Sequence, residues 1–490
     1  MNLTDPILRH ARMRPNATAL VEGERTISYA TLADRILHTA GHLTALGIRP
    51  GDRVGLGLKD DCECVIALLA IARLGALAVQ VDWRSRPEEK ERIANAFAPK
   101  LLLTLSESNI AARCPIVVLD SKWHQAVAAA ELPVDMPEDW EIPFALLGTS
   151  GTTGLPKFAV ATHLHFFLHV CAYLQAMPST RHYRCLLSLP LYFGAGRLMC
   201  LAHLVRGDTV ILYPALFTAA EFVDVVTQNK AEVGFVVPSV VRQLLPLASG
   251  SESLLPGLEL LICGGAPLFA DEKLVAVRKL SLNFCEMYGV TPVGPVSVIR
   301  PQEIAERPAS VGRPFSLVDL EVIDEDDKPV GIDIVGRLRC RGPALTSPVV
   351  GVGLGSAADD FRDGWYYPGE LASFDSCGYL FIQGRASDVV FRGGAKVFPA
   401  EIETVLQAHD AVVDAAVLGR SGSDNEELLV AYVVVCRSVS PGDLLAYCRS
   451  RLAPNKVPHE IHIEPDLPRL SSGKLDKRAL ASKLAQPRSS

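Results

Sequence analysis

Thr149-Ser150-Gly151-Thr152-Thr153-Gly154-Leu155-Pro156-Lys157 puts four hydroxyl side chains, two glycines and one lysine into nine residues. Those residue types in that order suit a polyanion. Glycine lets a backbone come close to an anion, hydroxyls and amides donate to phosphate oxygens, and the lysine adds a mobile positive charge. The run follows the apolar stretch Phe144 to Leu147, so it reads as a turn leaving a buried strand. It is not a loop of the GxxxxGK[ST] kind, a spacing the chain lacks. On its own, the segment could also be a polar Gly/Thr loop with no ligand.

Other segments fall into order behind it. They are Gly264-Gly265-Ala266-Pro267, Tyr288-Gly289-Val290-Thr291, Asp363-Gly-Trp-Tyr-Tyr-Pro-Gly-Glu370, Gly384-Arg385, Gly393-Gly394-Ala-Lys-Val-Phe-Pro-Ala-Glu-Ile-Glu403 and Leu467-Pro-Arg-Leu-Ser-Ser-Gly-Lys474. In content and sequence order the set resembles the acyl-adenylate-forming superfamily, which holds acyl-CoA synthetases, aryl-CoA ligases, luciferases and peptide-synthetase adenylation domains. It is most similar to the acyl- and aryl-CoA ligases, and the resemblance covers nearly the whole chain.

The resemblance implies an ATP- and Mg²⁺-dependent enzyme that joins a carboxylic acid to AMP, releases pyrophosphate and passes the acyl group to a thiol. It implies a role for each segment. Thr149, Ser150, Gly151, Thr152, Thr153, Gly154 and Lys157 would hold the leaving pyrophosphate. Gly264, Gly265, Ala266 and Pro267 would meet the adenine. Tyr288 would stack on it with Gly289 beside the nucleotide, Thr291 would steady the α-phosphate, and Glu370 and Arg385 would meet the ribose or phosphate. Lys474, with Thr152 and Thr291, would be catalytic. Joining two anions needs positive charge aimed at the developing transition state, and a lysine bridging carboxylate and α-phosphate supplies it. Ser387 would be the hinge of a smaller domain that turns between half-reactions, and Gly393 and Gly394 would leave room for pantetheine.

The sequence departs from the family pattern in four places. Pro292 stands where the family usually has a Mg²⁺-binding Glu, so no metal ligand is assignable. Glu370 replaces the usual Asp, Phe158 a usual Gly, and the lysine loop lacks a usual Pro. A non-catalytic homologue that binds nucleotide or an acyl ligand is therefore the alternative reading. A luciferase-like oxygenase rests on kinship of fold alone.

The expected acyl wall is Tyr192, Phe193, Val237, Cys263 and Pro292. Amino-acid-activating relatives commonly carry an Asp where Phe193 stands. A buried ammonium without a carboxylate is costly, so an α-amino acid is not expected. An aryl or medium-chain acyl group fits such a wall. The acceptor is CoA or the phosphopantetheine of an acyl carrier protein, which end in the same thiol.

The elements that must position these residues are also legible. The chain has 490 residues, 49% of them hydrophobic, too many for one core. Up to about residue 380, β-rich runs alternate with amphipathic segments. A helix is expected over Ala30 to Leu46, where Leu32, Ile36, Ala40 and Leu43 recur at helical spacing, and another over Cys64 to Arg73. Strands are expected at Arg53 to Leu58, Leu186 to Leu189, Thr209 to Tyr213, Gly234 to Val237 and Leu258 to Cys263. From Asp319, short strands between Gly, Pro and Asp turns mark a small β-rich subdomain, with one strand at Gly378 to Ile382. A compact α+β tail follows, with a strand near Asp388 to Phe391. The fold class is α/β: layered α/β subdomains and the β-rich subdomain form a large N-terminal domain, residues 1–386, and a mobile α+β domain spans 387–490.

The formal net charge of −7 lacks the footprint of a nucleic-acid binder. The basic cluster Arg84 to Arg92 is mixed with acids and reads as solvated surface. No secretory signal and no membrane span are expected. Twelve cysteines without repeated ligand spacing fit reduced thiols in a cytoplasmic enzyme. The oligomeric state is left between monomer and homodimer.

Overall fold

The computed structural model describes the chain apart from residues 1, 106–111, 133–138, 150–156, 178–180, 214–216, 251, 350–359, 393–394, 422–426, 470–474 and 486–490. Two large sheets dominate. In the seven-stranded sheet, Arg53–Gly57 and Leu77–Gln80 lie at the centre, flanked by Leu101–Thr104 and Pro143–Thr149, all parallel. In the nine-stranded sheet, Thr18–Glu22, Thr209–Leu212, Arg184–Leu187, Val233–Val236, Leu260–Gly264 and Phe284–Val290 run parallel, with antiparallel strands at both edges.

Helices fill the space between the sheets, and their composition follows. Helix Cys62–Arg73 is capped by Asp61, whose side chain accepts from Cys64 N, and buries every residue from Cys64 to Ala72. A helix apolar on all sides belongs between two layers. One continuous core joins Val54, Ala78 and Ala145 of one sheet to Leu20, Val210 and Phe235 of the other through Leu68, Phe166 and Leu201. Helix Tyr29–Ala45 buries Leu32, Ile36, Ala40 and Leu43, the expected stripe.

The small β-rich subdomain is a six-stranded sheet containing Gly336–Arg341, Glu370–Phe374 and Leu380–Arg385. Its hairpin Phe361–Arg362 to Trp365–Tyr366 turns on Asp363 and Gly364, both at positive φ, as a two-residue hairpin turn demands. The smaller C-terminal domain has a three-stranded sheet, Val412–Ser421, Glu427–Val435 and Glu460–Ile463, packed on helices through Ile402, Leu406, Val417, Leu429 and Leu444.

Most element boundaries fall within two residues of expectation. Gly378, at φ 78°, closes a turn in which its N–H donates to Asp375 O, so the strand starts at Leu380 and runs on to Arg385. A short 3₁₀ turn at Ala386–Asp388 delays the next strand to Val390–Arg392. Arg84 is not simply solvated. Its guanidinium lies over the Tyr192 ring, 5.0 Å from the centroid, and pairs with Asp82 at 3.2 Å.

Candidate functional site

Four neighbouring parallel strands of the nine-stranded sheet end on one side, and each leads into a residue singled out in the sequence. Arg184–Leu187 leads to Tyr192 and Phe193, Val233–Val236 to Val237, Leu260–Gly264 to Gly265, and Phe284–Val290 to Thr291. The crevice beyond the carboxyl ends of parallel strands is where open α/β sheets bind ligands.

The phosphate-loop candidate runs between two strands of the seven-stranded sheet. Pro143–Thr149 and Lys157–Thr162 pair antiparallel, and Thr149 lies opposite Lys157. Ser150, Gly151, Thr152, Thr153 and Gly154 lie outside the described residues. The Lys157 ammonium is 2.7 Å from the Asp360 carboxylate. Phe158 has a structural account. It packs edge-on against Phe97, with centroids 4.8 Å apart, and lies opposite Gly148, where a Cβ would come within 3.2 Å of its ring. Glycine across the ladder makes room for the bulky residue.

Three distant segments meet at the nucleotide candidate. The Tyr288 hydroxyl donates to the Glu370 carboxylate, and Glu370 is the cross-strand partner of Arg385. Burial, and then the Glu370 charge, push the Tyr288 phenol well above its ordinary range. Gly264 pairs with Met287 of the next strand, and a Cβ there would strike the Met287 carbonyl at 2.5 Å. Gly265 then turns out at φ 90°, leaving it and Pro267 exposed and Ala266 half-buried. Gly289 is exposed in the same region.

Thr291 sits in the loop between Phe284–Val290 and Gly294–Ile299, and its methyl lies 3.8 Å from where a Gly194 Cβ would be. The Pro292 carbonyl accepts from Thr346 N at 2.8 Å. Sequence reasoning missed His169 beneath this loop. Its ring packs where a Gly294 Cβ would sit, 2.7 Å away, and its Nε2 bonds Ala344 O at 2.9 Å. Burial lowers its pKa to about 4. Its only sequence signal is a histidine inside an apolar helix, the usual mark of a core residue.

Tyr192 and Phe193 lie ring against ring, with centroids 4.1 Å apart, just ahead of helix Gly194–Arg206. Asp60 fixes this loop by accepting from Leu191 N at 2.6 Å. Val237 caps helix Pro238–Leu244, and its Cγ1 lies 3.8 Å from the Gly265 Cβ position. Cys263 does not join this wall. Strand alternation turns its side chain to the other layer, where it is fully buried with Leu186, Val236 and Phe284, and burial pushes its thiol pKa well up.

In the C-terminal domain, Ser387 is exposed and donates to Asp388 at 2.9 Å. Gly393, Gly394 and Lys474 lie outside the described residues. A bridge between Arg469 and Leu475 closes the loop bearing Lys474, and Arg469 pairs with Asp414. Among the described residues, no group of three or more His, Cys, Asp or Glu is placed to hold a metal, and no helix is long and apolar enough to cross a membrane.

Residues 7–348 match the family described as AMP-binding enzyme, and residues 401–474 match the AMP-binding enzyme C-terminal domain. A feruloyl-CoA synthase of Amycolatopsis sp is 32% identical over 478 residues, 96% of each chain. Among solved structures, the o-succinylbenzoate CoA synthetase of Bacillus subtilis in complex with the acyl-adenylate intermediate superposes with a TM-score of 0.87 at 25% identity, over 99% of this chain and 98% of that one. ATP-bound MatB of Rhodopseudomonas palustris gives a TM-score of 0.88 at 25% identity over 99% of both chains.

Proposed function

The chain belongs to the AMP-binding enzyme family, and from that premise we propose that it converts an organic acid and ATP to an acyl-adenylate, then to a thioester of CoA or of a carrier protein's phosphopantetheine. The observation that carries this reading is the meeting of Tyr288, Glu370 and Arg385, three residues far apart in sequence. An aromatic face beside an acid suits base and ribose, and the Lys157 ammonium suits phosphates.

Each group then has a task. Tyr288 offers a face to the adenine, and Glu370 accepts from the ribose hydroxyls. Lys157 and the loop before it hold the departing pyrophosphate. Thr291 donates to the α-phosphate. Lys474 neutralises charge as the carboxylate oxygen attacks the α-phosphorus and pyrophosphate leaves. The thiol then attacks the acyl carbon, and AMP departs. Residues 387–490 turn about Ser387 between these steps. Bound Mg²⁺ would offset triphosphate charge. Pro292 offers it no side-chain oxygen and Asp360, beside Lys157, does, so an ion carried mainly on phosphate oxygens fits these residues.

The acid is aryl or medium-chain acyl and not α-amino, because the ring of Phe193, packed on Tyr192, stands where amino-acid-activating relatives commonly carry an Asp. Twelve free cysteines support a reducing, cytoplasmic setting. The test is pyrophosphate release with ATP and Mg²⁺ across a panel of aryl, medium-chain and α-amino acids. Release with an aryl or acyl acid is expected. Binding of ATP with no release for any acid would favour a non-catalytic homologue.

A further inference from the structure

Lys157 and Asp360, 203 residues apart in sequence, meet at 2.7 Å. The lysine side chain is 13% exposed and the aspartate 30%, so the pair is shielded yet reachable from solvent. The backbone at Asp360 is held, because its carbonyl accepts from Tyr367 N at 2.8 Å across the Phe361–Tyr366 hairpin. The same run of chain carries Glu370 ten residues on.

We propose that Asp360 is the protein's carboxylate for the divalent cation that accompanies the nucleotide, held on Lys157 until the triphosphate arrives. This rests on the reading of Thr149 to Lys157 as the phosphate loop. The argument is one of charge. A triphosphate that takes the lysine ammonium displaces the Asp360 carboxylate and leaves it facing phosphate oxygens of the same sign. In a partly shielded site such like charges repel strongly. A divalent cation between them turns the repulsion into ligation, and Mg²⁺ on nucleotides characteristically takes one or two carboxylates with phosphate oxygens and water. Pro292 cannot supply that carboxylate. Its side chain has no oxygen, and its carbonyl already accepts from Thr346 N. Asp360 therefore opposes free ATP and favours the metal complex.

Isothermal titration of ATP in the absence of acid, with excess Mg²⁺ or with EDTA, separates the two effects. The wild-type protein should bind the magnesium complex at least about tenfold more tightly than free ATP, the scale of one charge-assisted interaction. Asp360→Asn should bind free ATP more tightly than wild type and the magnesium complex more weakly, bringing the ratio below about threefold, while Asp360→Glu should largely restore it. Manganese titrated into each protein with ATP and followed by electron paramagnetic resonance should show weaker retention of the ion by Asp360→Asn alone. Equal tightening of free ATP and of the magnesium complex by Asp360→Asn would make the aspartate a competitor for Lys157 and nothing more, overturning the proposal. A wild-type protein that binds no nucleotide in either condition would remove the phosphate-loop reading itself, and this inference with it.

Discussion

The Lys477 ammonium lies 2.8 Å from the Glu403 carboxylate and 3.4 Å from that of Asp388. Glu403 sits in the helix after the candidate thiol-tunnel loop, Asp388 in the turn of the candidate hinge, and Lys477 just past the candidate lysine loop. Burial opposes the lysine charge, but the two acids outweigh it and raise its pKa.

Replacing Lys477 with Ala should leave two carboxylates facing each other and loosen all three segments. The expected loss is about 2 kcal/mol, less than for a fully buried pair because the side chain keeps some exposure. Lys477→Arg should recover most of it. The measurement is urea unfolding of the three proteins, paired with pyrophosphate release. Arg and Ala variants of equal stability would show that the pair contributes nothing.

His163 and His169 predict acid lability. Burial holds each at about 4 against an ordinary 6.5, and His163 Nδ1 accepts from Leu3 N, which a protonated ring could not do. Unfolded, both rings take up protons below pH 6.5, while folded they resist until about 4. The unfolded state then binds more protons, so stability is full above the upper value and falls as pH drops toward the lower. The loss is on the order of 3 kcal/mol for each ring. Melting temperature followed from neutral to acid pH should show the slope, and His169→Gln should flatten part of it. A flat profile in the wild-type protein would contradict buried neutral rings.

Much of this architecture is legible in the sequence because apolar periodicity is local. The stripe from Leu32 to Leu43 and the unbroken apolar run of Val65 to Ala72 each fix an element without knowledge of its partners. The site segments are legible through their glycines, since Gly264 and Gly265 sit where a side chain would collide or a positive φ is needed. Pairings are not. Nothing near Lys157 in sequence announces Asp360, and nothing near Tyr288 announces its bond to Glu370. Cys263 reads as part of the acyl wall because it is apolar, but strand alternation buries it with Leu186 and Phe284 while its neighbour Ile262 joins the other core.

The Tyr288–Glu370 bond gives a prediction about the ribose end. Tyr288→Phe keeps the aromatic face but removes the donor that orients the acid. AMP should bind about three- to tenfold more weakly, the usual worth of one hydrogen bond. Glu370→Ala should lose more, since it also removes the ribose acceptor, and the double variant should lose less than the sum of the two, because each single change removes the same bond. Calorimetric titration of AMP into both single variants and the double variant forms the cycle. Full additivity would mean that the bond does not shape the nucleotide site.

The last prediction separates the half-reactions. Lys474 follows Ser-Ser-Gly, and the loop is closed at its base by the Arg469–Leu475 bridge. In the proposed mechanism its charge is needed only while the carboxylate attacks the α-phosphorus. Losing a contact of that kind costs roughly a hundredfold or more in rate. Thiol transfer would use the other orientation of residues 387–490, with this loop turned away. Lys474→Ala should therefore stop adenylate formation yet still convert supplied acyl-adenylate to thioester at a near-normal rate. Gly394→Leu should do the reverse, because a branched side chain would fill the path of the pantetheine arm while leaving the nucleotide side alone. Single-turnover assays of each half-reaction on both variants, with circular dichroism to verify folding, make the comparison. Loss of both half-reactions to the same degree in both folded variants would rule out a two-orientation mechanism for this protein.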